Sequence, residues 1–197
     1  MIDEIAEREP LAPFARWYTA ADKSEELPET MTLATVGADG MPSLRAVLLK
    51  GVDARGFVFY TNMESRKTQE LVAHPLAALC FHWKSLARQV RIEGTVTQVG
   101  DDEADAYFAS RARDSQIGAW ASDQSRPLAS RAVLEDRVAM FTRRFAEQAT
   151  IARPEYWSGF RVAPRRVEFW QERDHRLHDR LAFIREGGIW RRERLYP

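Results

Sequence analysis

The sequence predicts an α+β fold dominated by antiparallel β-structure. Three observations carry this prediction. Runs of β-branched and apolar residues are separated by short glycine turns, residues 87–99 alternate with a period of two, and helical periodicity is confined to a few segments between the strand-like runs.

Taken in order, Leu11 to Ala21 carries apolar and aromatic residues at helical spacing, with Phe14, Trp17 and Tyr18 as anchors of an opening helix. From Met31 the texture changes. MTLATV, SLRAVLLKGV and FVFYTN, separated by Ala38-Asp39-Gly40 and Ala54-Arg55-Gly56, predict three antiparallel strands joined by tight turns. Ser65 is placed to cap a helix running to about Ala73, because its hydroxyl can accept from a first-turn amide, and His74-Pro75 ends that helix. Strands follow at Leu76 to Trp83 and Ala87 to Val99. In the second, Val90, Ile92 and Val96 alternate with Gln89, Arg91, Glu93, Thr95 and Thr97, giving one buried and one polar face. Asp101-Asp102-Glu103 suits a helix N-terminus, and that helix runs to about Arg111. The longest helix spans about Ser130 to Gln148. From Phe160 the alternation returns, with Gly187-Gly188 between two strand-like runs that close the sheet. About six strands with strong turns can close into a small barrel. Residues 1–197 read as one domain, with residues 1–30 as N-terminal segment and first helix and 160–197 as the closing strands.

Charge is balanced, 29 basic against 29 acidic residues, so no general attraction to nucleic acid or an anionic membrane is expected. The cations divide into 25 arginines and 4 lysines, a skew that suits bidentate recognition of phosphate and equally fits a compositional bias. The single cysteine, Cys80, lies in the apolar Leu76 to Phe81 run and reads as a core residue in a reducing compartment. The acidic start MIDEIAEREP lacks the features of a signal peptide, and no apolar run reaches membrane-spanning length. A cytoplasmic protein is the expectation.

Several constellations bear on chemistry. Ser65-Arg66-Lys67 at a helix N-terminus makes a sensible phosphate cradle, although solvated charges behind a cap give the same pattern. Arg45 and Lys50 flank apolar Ala46-Val47-Leu48-Leu49. Their odd separation puts them on opposite faces unless a bulge, twist or interface intervenes. Tyr107 and Arg111 share a helix face, and Ser115 lies just beyond, which makes a second anion site or an amphipathic helix with a solvated arginine. Gln124-Ser125 offers neutral hydrogen bonds for a ligand or a helix cap. In Arg176-Leu177-His178-Asp179-Arg180, strand alternation puts Arg176, His178 and Arg180 on one face. The same alternation separates His175 from His178, so no metal site is expected. No Gly-x-Ser-x-Gly elbow and no glycine-rich dinucleotide fingerprint occurs.

In combination these segments resemble the pyridoxine (pyridoxamine) 5'-phosphate oxidase family. The markers are Arg45 to Lys50, Phe59-Tyr60-Thr61-Asn62, Ser65-Arg66-Lys67, Arg88-Gln89-Val90, Ser110 to Trp120, Phe169-Trp170-Gln171, Arg176 to Arg180 and the ending Arg194-Leu195-Tyr196-Pro197. The resemblance implies an FMN-binding split β-barrel with flanking helices, and a homodimer with FMN in clefts at the subunit interface. It places FMN contacts on Arg45, Ala46, Val47, Leu48, Leu49, Lys50, Tyr60, Thr61, Arg66, Lys67, Gln89, Gln124, Ser125, Trp170 and Arg180. Substrate contacts fall on Lys50, Tyr107, Arg111, Ser115, Arg176, Leu177 and His178. Arg176 and His178 are the candidates for orienting the substrate and assisting proton removal. Gln171-Glu172-Arg173-Asp174 departs from the glycine-containing turn expected there.

The implied activity is oxidation of pyridoxine 5'-phosphate and pyridoxamine 5'-phosphate to pyridoxal 5'-phosphate. Dioxygen accepts the electrons, and hydrogen peroxide is released, with ammonia from the amine. A phenazine-type split-barrel oxidase and a non-catalytic carrier of flavin or pyridoxal phosphate are the rivals.

Overall fold

The computed structural model describes residues 2–197. The opening helix α1 (Leu11–Asp22) buries Phe14 and Trp17, and the Phe14 ring sits 4.9 Å from Phe57 and 5.3 Å from Phe81. β1 (Thr30–Val36) and β2 (Pro42–Leu48) form one hairpin, while β3 (Gly51–Asp53) and β4 (Gly56–Asn62) form another. The single strand expected from Ser43 to Val52 is therefore two strands. Adjacent residues make the switch: the Leu49 amide donates to the Glu29 carbonyl on the β1 side at 2.9 Å, and the Lys50 amide donates to the Val58 carbonyl of β4 at 2.8 Å.

α2 (Arg66–Ala73), β5 (Leu76–Trp83), β6 (Arg88–Gln98), α3 (Asp101–Ser110), α4 (Arg113–Ala121), α5 (Arg131–Phe145), β7 (Trp157–Gln171), β8 (Asp179–Glu186) and β9 (Ile189–Leu195) complete the chain. The strands join in one nine-stranded sheet, with a main path β2-β1-β5-β6-β7-β4-β3 and with β8 and β9 branching from β7. β2 and β3 therefore stand at opposite ends of a seven-strand path, although only Leu49 and Lys50 separate them. Laid flat, those ends would lie about 29 Å apart at roughly 4.8 Å per strand, whereas three peptide steps span at most about 11 Å. The sheet must curl until its ends meet, which is the barrel anticipated from the turns. The three-strand meander is replaced by two hairpins arriving from opposite ends of the sheet.

Inside the curl, Phe57, Phe59, Phe81, Val90, Ile92, Val167, Phe169 and Phe183 form the main core, and a second cluster of Phe108, Ile117, Phe141, Phe145 and Trp157 packs beneath α3, α4 and α5. Val90, Ile92 and Val96 face inward as their alternation requires. Cys80 does not join the core. β5 turns Ala77, Leu79, Phe81 and Trp83 inward, so the intervening Cys80 lies on the half-buried outer face. No helix among the described residues is long and apolar enough to cross a membrane.

The β6–β7 register shifts between Glu93 and Gly94, and a Cβ on Gly94 would lie 2.2 Å from the Ala163 carbonyl oxygen. That contact is backbone, so neither strand can yield without breaking the ladder. Gly94→Ala is expected to destabilise by more than about 2 kcal/mol in denaturant unfolding. Gly118→Ala, in helix α4 with nothing within 4 Å, is the control and is expected to be neutral or stabilising.

Candidate functional site

Where the two hairpins meet α3 and α4, a cleft of about 450 Å³ opens. Ala46, Val47, Leu48 and Lys50 form one wall, Tyr60, Thr61 and Lys67 another, and Tyr107, Arg111 and Ser115 the far end. Lys50, Lys67 and Arg111 are its cations, and no carboxylate lines it. A wider groove of about 800 Å³ beside α1 shares Lys50 but adds Asp22, Glu29 and Asp53, a setting that repels anions. Lys50 thus stands between the two, 3.7 Å from Glu29.

At the near end, the buried Lys67 ammonium donates to Thr61 Oγ1 at 3.0 Å, Ser65 Oγ at 3.1 Å and Gln124 Oε1 at 2.5 Å. All three acceptors are neutral. Burial, reinforced by the nearby Arg45 charge, lowers the Lys67 pKa to about 8 against a smaller opposing pull from Glu70. A buried cation satisfied only by neutral oxygens fits an incoming phosphate. Ser65 does occupy the N-cap position of α2, but its hydroxyl makes no capping bond and is drawn to Lys67 and to Thr68 instead.

Arg45 and Arg66 do not line the cleft. Arg45 donates to Glu70 Oε2 at 2.9 Å and Ser43 Oγ at 2.6 Å, and Arg66 donates to Glu70 Oε1 at 2.8 Å. Thr35 and Ser43 also donate to the Glu70 carboxylate. Burial pushes that carboxyl up, but bonds from Thr35, Ser43, Arg45 and Arg66 outweigh it and hold its pKa at about 2. The strand break after Leu48 thus sends Arg45 to this network and Lys50 to the cleft, which disposes of their odd spacing. Leu49 packs into the core, and Ser125, an exposed residue with φ 71°, is not on the cleft wall.

At the far end, Arg111 terminates α3 and lies over the rings of Trp157 at 4.9 Å and Phe108 at 5.6 Å. Burial lowers its pKa, opposed by the Tyr107 phenol. Its Nη1 is buried without a hydrogen-bond partner. Such a donor carries a desolvation penalty that a ligand oxygen would relieve. Tyr107, Arg111 and Ser115 do converge as the sequence indicated.

A second group gathers elsewhere. Gln89 and Trp170 are cross-strand partners, the Trp170 ring lies 4.6 Å from His178, and Arg180 donates to Glu168 Oε1 at 2.8 Å and the Tyr196 carbonyl at 2.9 Å. Strand alternation does not extend through Arg176 to Arg180, because residues Asp174–Arg176 form a 3-10 turn and β8 begins only at Asp179. His175 and Arg176, just beyond Gln171-Glu172-Arg173-Asp174, adopt left-handed φ values of 57° and 62°, a conformation that side chains disfavour. Arg173 braces this turn. Its amide donates to His178 Nδ1 at 3.2 Å and its Nε to Asp179 Oδ2 at 2.6 Å, which gives Asp179 its partner. With Nδ1 accepting, a neutral His178 carries its proton on Nε2 and presents a donor rather than a base. The strand argument against a His175–His178 metal pair falls with the strand, but no group of three or more potential ligands occurs among the described residues.

Trp157, Ser122 and Glu70 were not singled out from sequence, and Asn62 only as part of the Phe59-Tyr60-Thr61-Asn62 marker. Tyr156-Trp157-Ser158-Gly159 carried a signal, since an aromatic residue and a glycine two positions apart share a strand face, but the strand was expected to begin only at Phe160.

Glu70 yields a pH prediction. Its pKa falls from 4.5 to about 2 in the fold, so its stabilisation is fully present above pH 4.5 and is lost as pH drops towards 2. Glu70→Gln should cost about 3 kcal/mol in denaturant unfolding at pH 7, with the difference from the unmodified protein shrinking towards pH 2. A pH-independent difference would contradict this account.

Residues 19–145 match the family model of pyridoxamine 5'-phosphate oxidase, and residues 157–197 match the pyridoxine 5'-phosphate oxidase C-terminal dimerisation region. A pyridoxine/pyridoxamine 5'-phosphate oxidase of Caulobacter vibrioides is 59% identical over 194 residues, spanning 98% of this chain and 87% of its own length. The solved structure of PhzG from Burkholderia lata 383 in complex with tetrahydrophenazine-1-carboxylic acid is 30% identical with a TM-score of 0.92, covering 98% of this chain and 95% of PhzG. A pyridoxamine 5'-phosphate oxidase-related, FMN binding protein from Nostoc punctiforme PCC 73102 shares the fold at 17% identity and a TM-score of 0.76, with 96% and 98% covered. With the curled sheet, the cleft and matches along most of its length, the chain belongs to the pyridoxamine 5'-phosphate oxidase family.

Proposed function

We propose that the protein oxidises pyridoxine 5'-phosphate and pyridoxamine 5'-phosphate to pyridoxal 5'-phosphate with FMN and dioxygen. The observation that carries this reading is a carboxylate-free cleft with an uncompensated cation at each end, Lys67 at one and the partnerless Arg111 Nη1 at the other. Two phosphorylated ligands, cofactor and substrate, suit two separate anion sites. Lys67, with Thr61 and Gln124, would hold the flavin phosphate, with Arg45 and Arg66 behind them. Lys50, Tyr107, Arg111 and Ser115 would hold that of the substrate.

FMN, held by Lys67, Thr61 and Gln124, would supply the two-electron redox chemistry that links substrate oxidation to reduction of dioxygen to hydrogen peroxide. The chain's part is to bind and orient. Trp157 opens β7 and Trp170 stands near its other end, so at about 3.3 Å per residue roughly 40 Å of strand separates the two groups. In our reading, a homodimer closes this gap. Gln89, Trp170 and Arg180 of one protomer would complete the flavin site of the other, and Arg176, Leu177 and His178 would cover its substrate. His178 Nε2–H then acts as a donor that orients the substrate.

Binding of tetrahydrophenazine-1-carboxylic acid by PhzG supports a second reading, a phenazine-type carboxylic acid held by the same Arg111. The substrate test separates the two. The FMN-loaded protein should consume oxygen and form aldehyde with pyridoxine 5'-phosphate but not with an unphosphorylated ring acid, and the reverse result would transfer the assignment. Arg111→Ala should raise KM for the phosphorylated substrate about 100-fold while FMN occupancy holds, and Lys67→Ala should do the opposite, since each removes one charge-assisted bond. If both lose flavin equally, the division of the cleft is wrong.

The Lys67 pKa fixes a pH dependence. With a value of about 8 in the free protein, Lys67 is charged below that pH and binds phosphate in that form. Between about pH 7, where the flavin phosphate is already dianionic, and pH 8 the FMN dissociation constant should therefore be nearly flat, and above pH 8 it should rise by up to about tenfold per unit. Flavin fluorescence titration measures this directly, and a flat profile to pH 9.5 would contradict the assignment.

A further inference from the structure

The anion end of the cleft is built on aromatic rings. Tyr60 and Tyr107 stack at 4.0 Å and 14°, Tyr60 and Trp157 at 5.2 Å and 4°, and Tyr107 and Trp157 lie 6.2 Å apart at 10°. The Arg111 guanidinium extends this stack 4.9 Å above the Trp157 ring. Trp157 is only 6% exposed, so the cation rests on a largely desolvated face. No ion pair holds Arg111 among the described residues, and its buried Nη1 has no acceptor.

We propose that Trp157 is a positioning residue for the substrate's phosphate: its indole face holds the Arg111 fork in place and leaves the fork's charge and donors free for the ligand. A carboxylate could fix Arg111 equally well, but it would neutralise the charge and compete with phosphate for the same N–H groups. A ring orients a planar guanidinium without consuming either. Buried cation–π contacts of this kind shift equilibria by about tenfold or more.

Gly159 supports the same device from the opposite side. It pairs with Tyr60 across the β4–β7 ladder, and a Cβ there would lie 2.7 Å from Tyr60 Cδ1 and 2.8 Å from Cε1. Its missing side chain leaves room for the Tyr60 ring to lie flat against Trp157. Trp157 and Gly159, two apart on β7, face the same side. The stack is therefore specified twice in Trp157-Ser158-Gly159, once by a ring and once by a vacancy.

The inference rests on the proposed assignment of Arg111 to the substrate's phosphate, and its test separates the two claims. With the FMN-loaded protein, so that the flavin phosphate site is filled, the binding of inorganic phosphate is measured by calorimetry. KM and kcat for pyridoxine 5'-phosphate, and flavin content, are measured alongside. Trp157→Leu should weaken phosphate binding and raise KM by about tenfold, with a much smaller change in kcat and flavin content unaltered. Trp157→Phe keeps a ring face and should stay within about threefold of the unmodified protein, and Gly159→Ala, which displaces Tyr60, should fall between. Phosphate binding unchanged in Trp157→Leu overturns the inference, as does an equal loss in the leucine and phenylalanine variants. Should Trp157→Leu not fold, Gly159→Ala decides, because unchanged phosphate binding in that variant also overturns it. If the unmodified protein fails to oxidise pyridoxine 5'-phosphate while Trp157→Leu still loses inorganic phosphate, the proposed reaction falls and the role of Trp157 stands.

Discussion

The constraint on which the structure depends is the two-residue link, Leu49 and Lys50, between opposite ends of the curled sheet. A link this short forces β2 and β4 to face each other, and the space between them is the cleft. Because the Leu49 amide is committed to one edge and the Lys50 amide to the other, the closure is held by backbone hydrogen bonds and not only by side-chain packing. Helices α3 and α4 then need only cover the open end, and in doing so they bring Tyr107, Arg111 and Ser115 within reach of Lys50.

Charge in this molecule is sorted by compensation more than by sign. Arg45 and Arg66 are paired with Glu70, Arg161 with Asp53 and Glu103, and Arg180 with Glu168. These arginines brace strands and helices together. Lys67 and Arg111 are the exceptions inside the cleft, one bonded to neutral oxygens and the other lying on rings. Burying a cation without a counter-ion is unfavourable, and both stand at positions where an anionic ligand would supply the missing charge.

Much of this was legible in the sequence because it depends on local rules. The alternation of Val90, Ile92 and Val96, the anchors of α1 and the Gly187-Gly188 hairpin all follow from periodicity and turn chemistry. Failures came where a distant partner, a competing neighbour or the backbone conformation decides the outcome and residue type does not. SLRAVLLKGV has uniform β-propensity, and nothing local marks Leu49 as the point where it changes edges. Ser65 has the chemistry of a cap, but a lysine two residues on competes for its hydroxyl. Arg176 to Arg180 was read with strand geometry because its flanks are strands, whereas left-handed residues at 175 and 176 interrupt the period. Of the cleft, the residue types were readable, but the demand for Trp157 beneath Arg111 was not, since 46 positions separate them.

β7 runs 15 residues, with the cleft at one end and the Gln89–Trp170–Arg180 group at the other. On the proposed dimer, every active site draws on the two ends of two different copies of this strand. Inactivating alleles would then sort into two complementation groups, one mapping to the Lys67–Arg111 half and one to the Trp170–Arg180 half. A mixed dimer carrying one lesion of each group on separate chains would regenerate one intact site of its two, whereas placing both lesions on one chain leaves each site of the mixed dimer with a single defect.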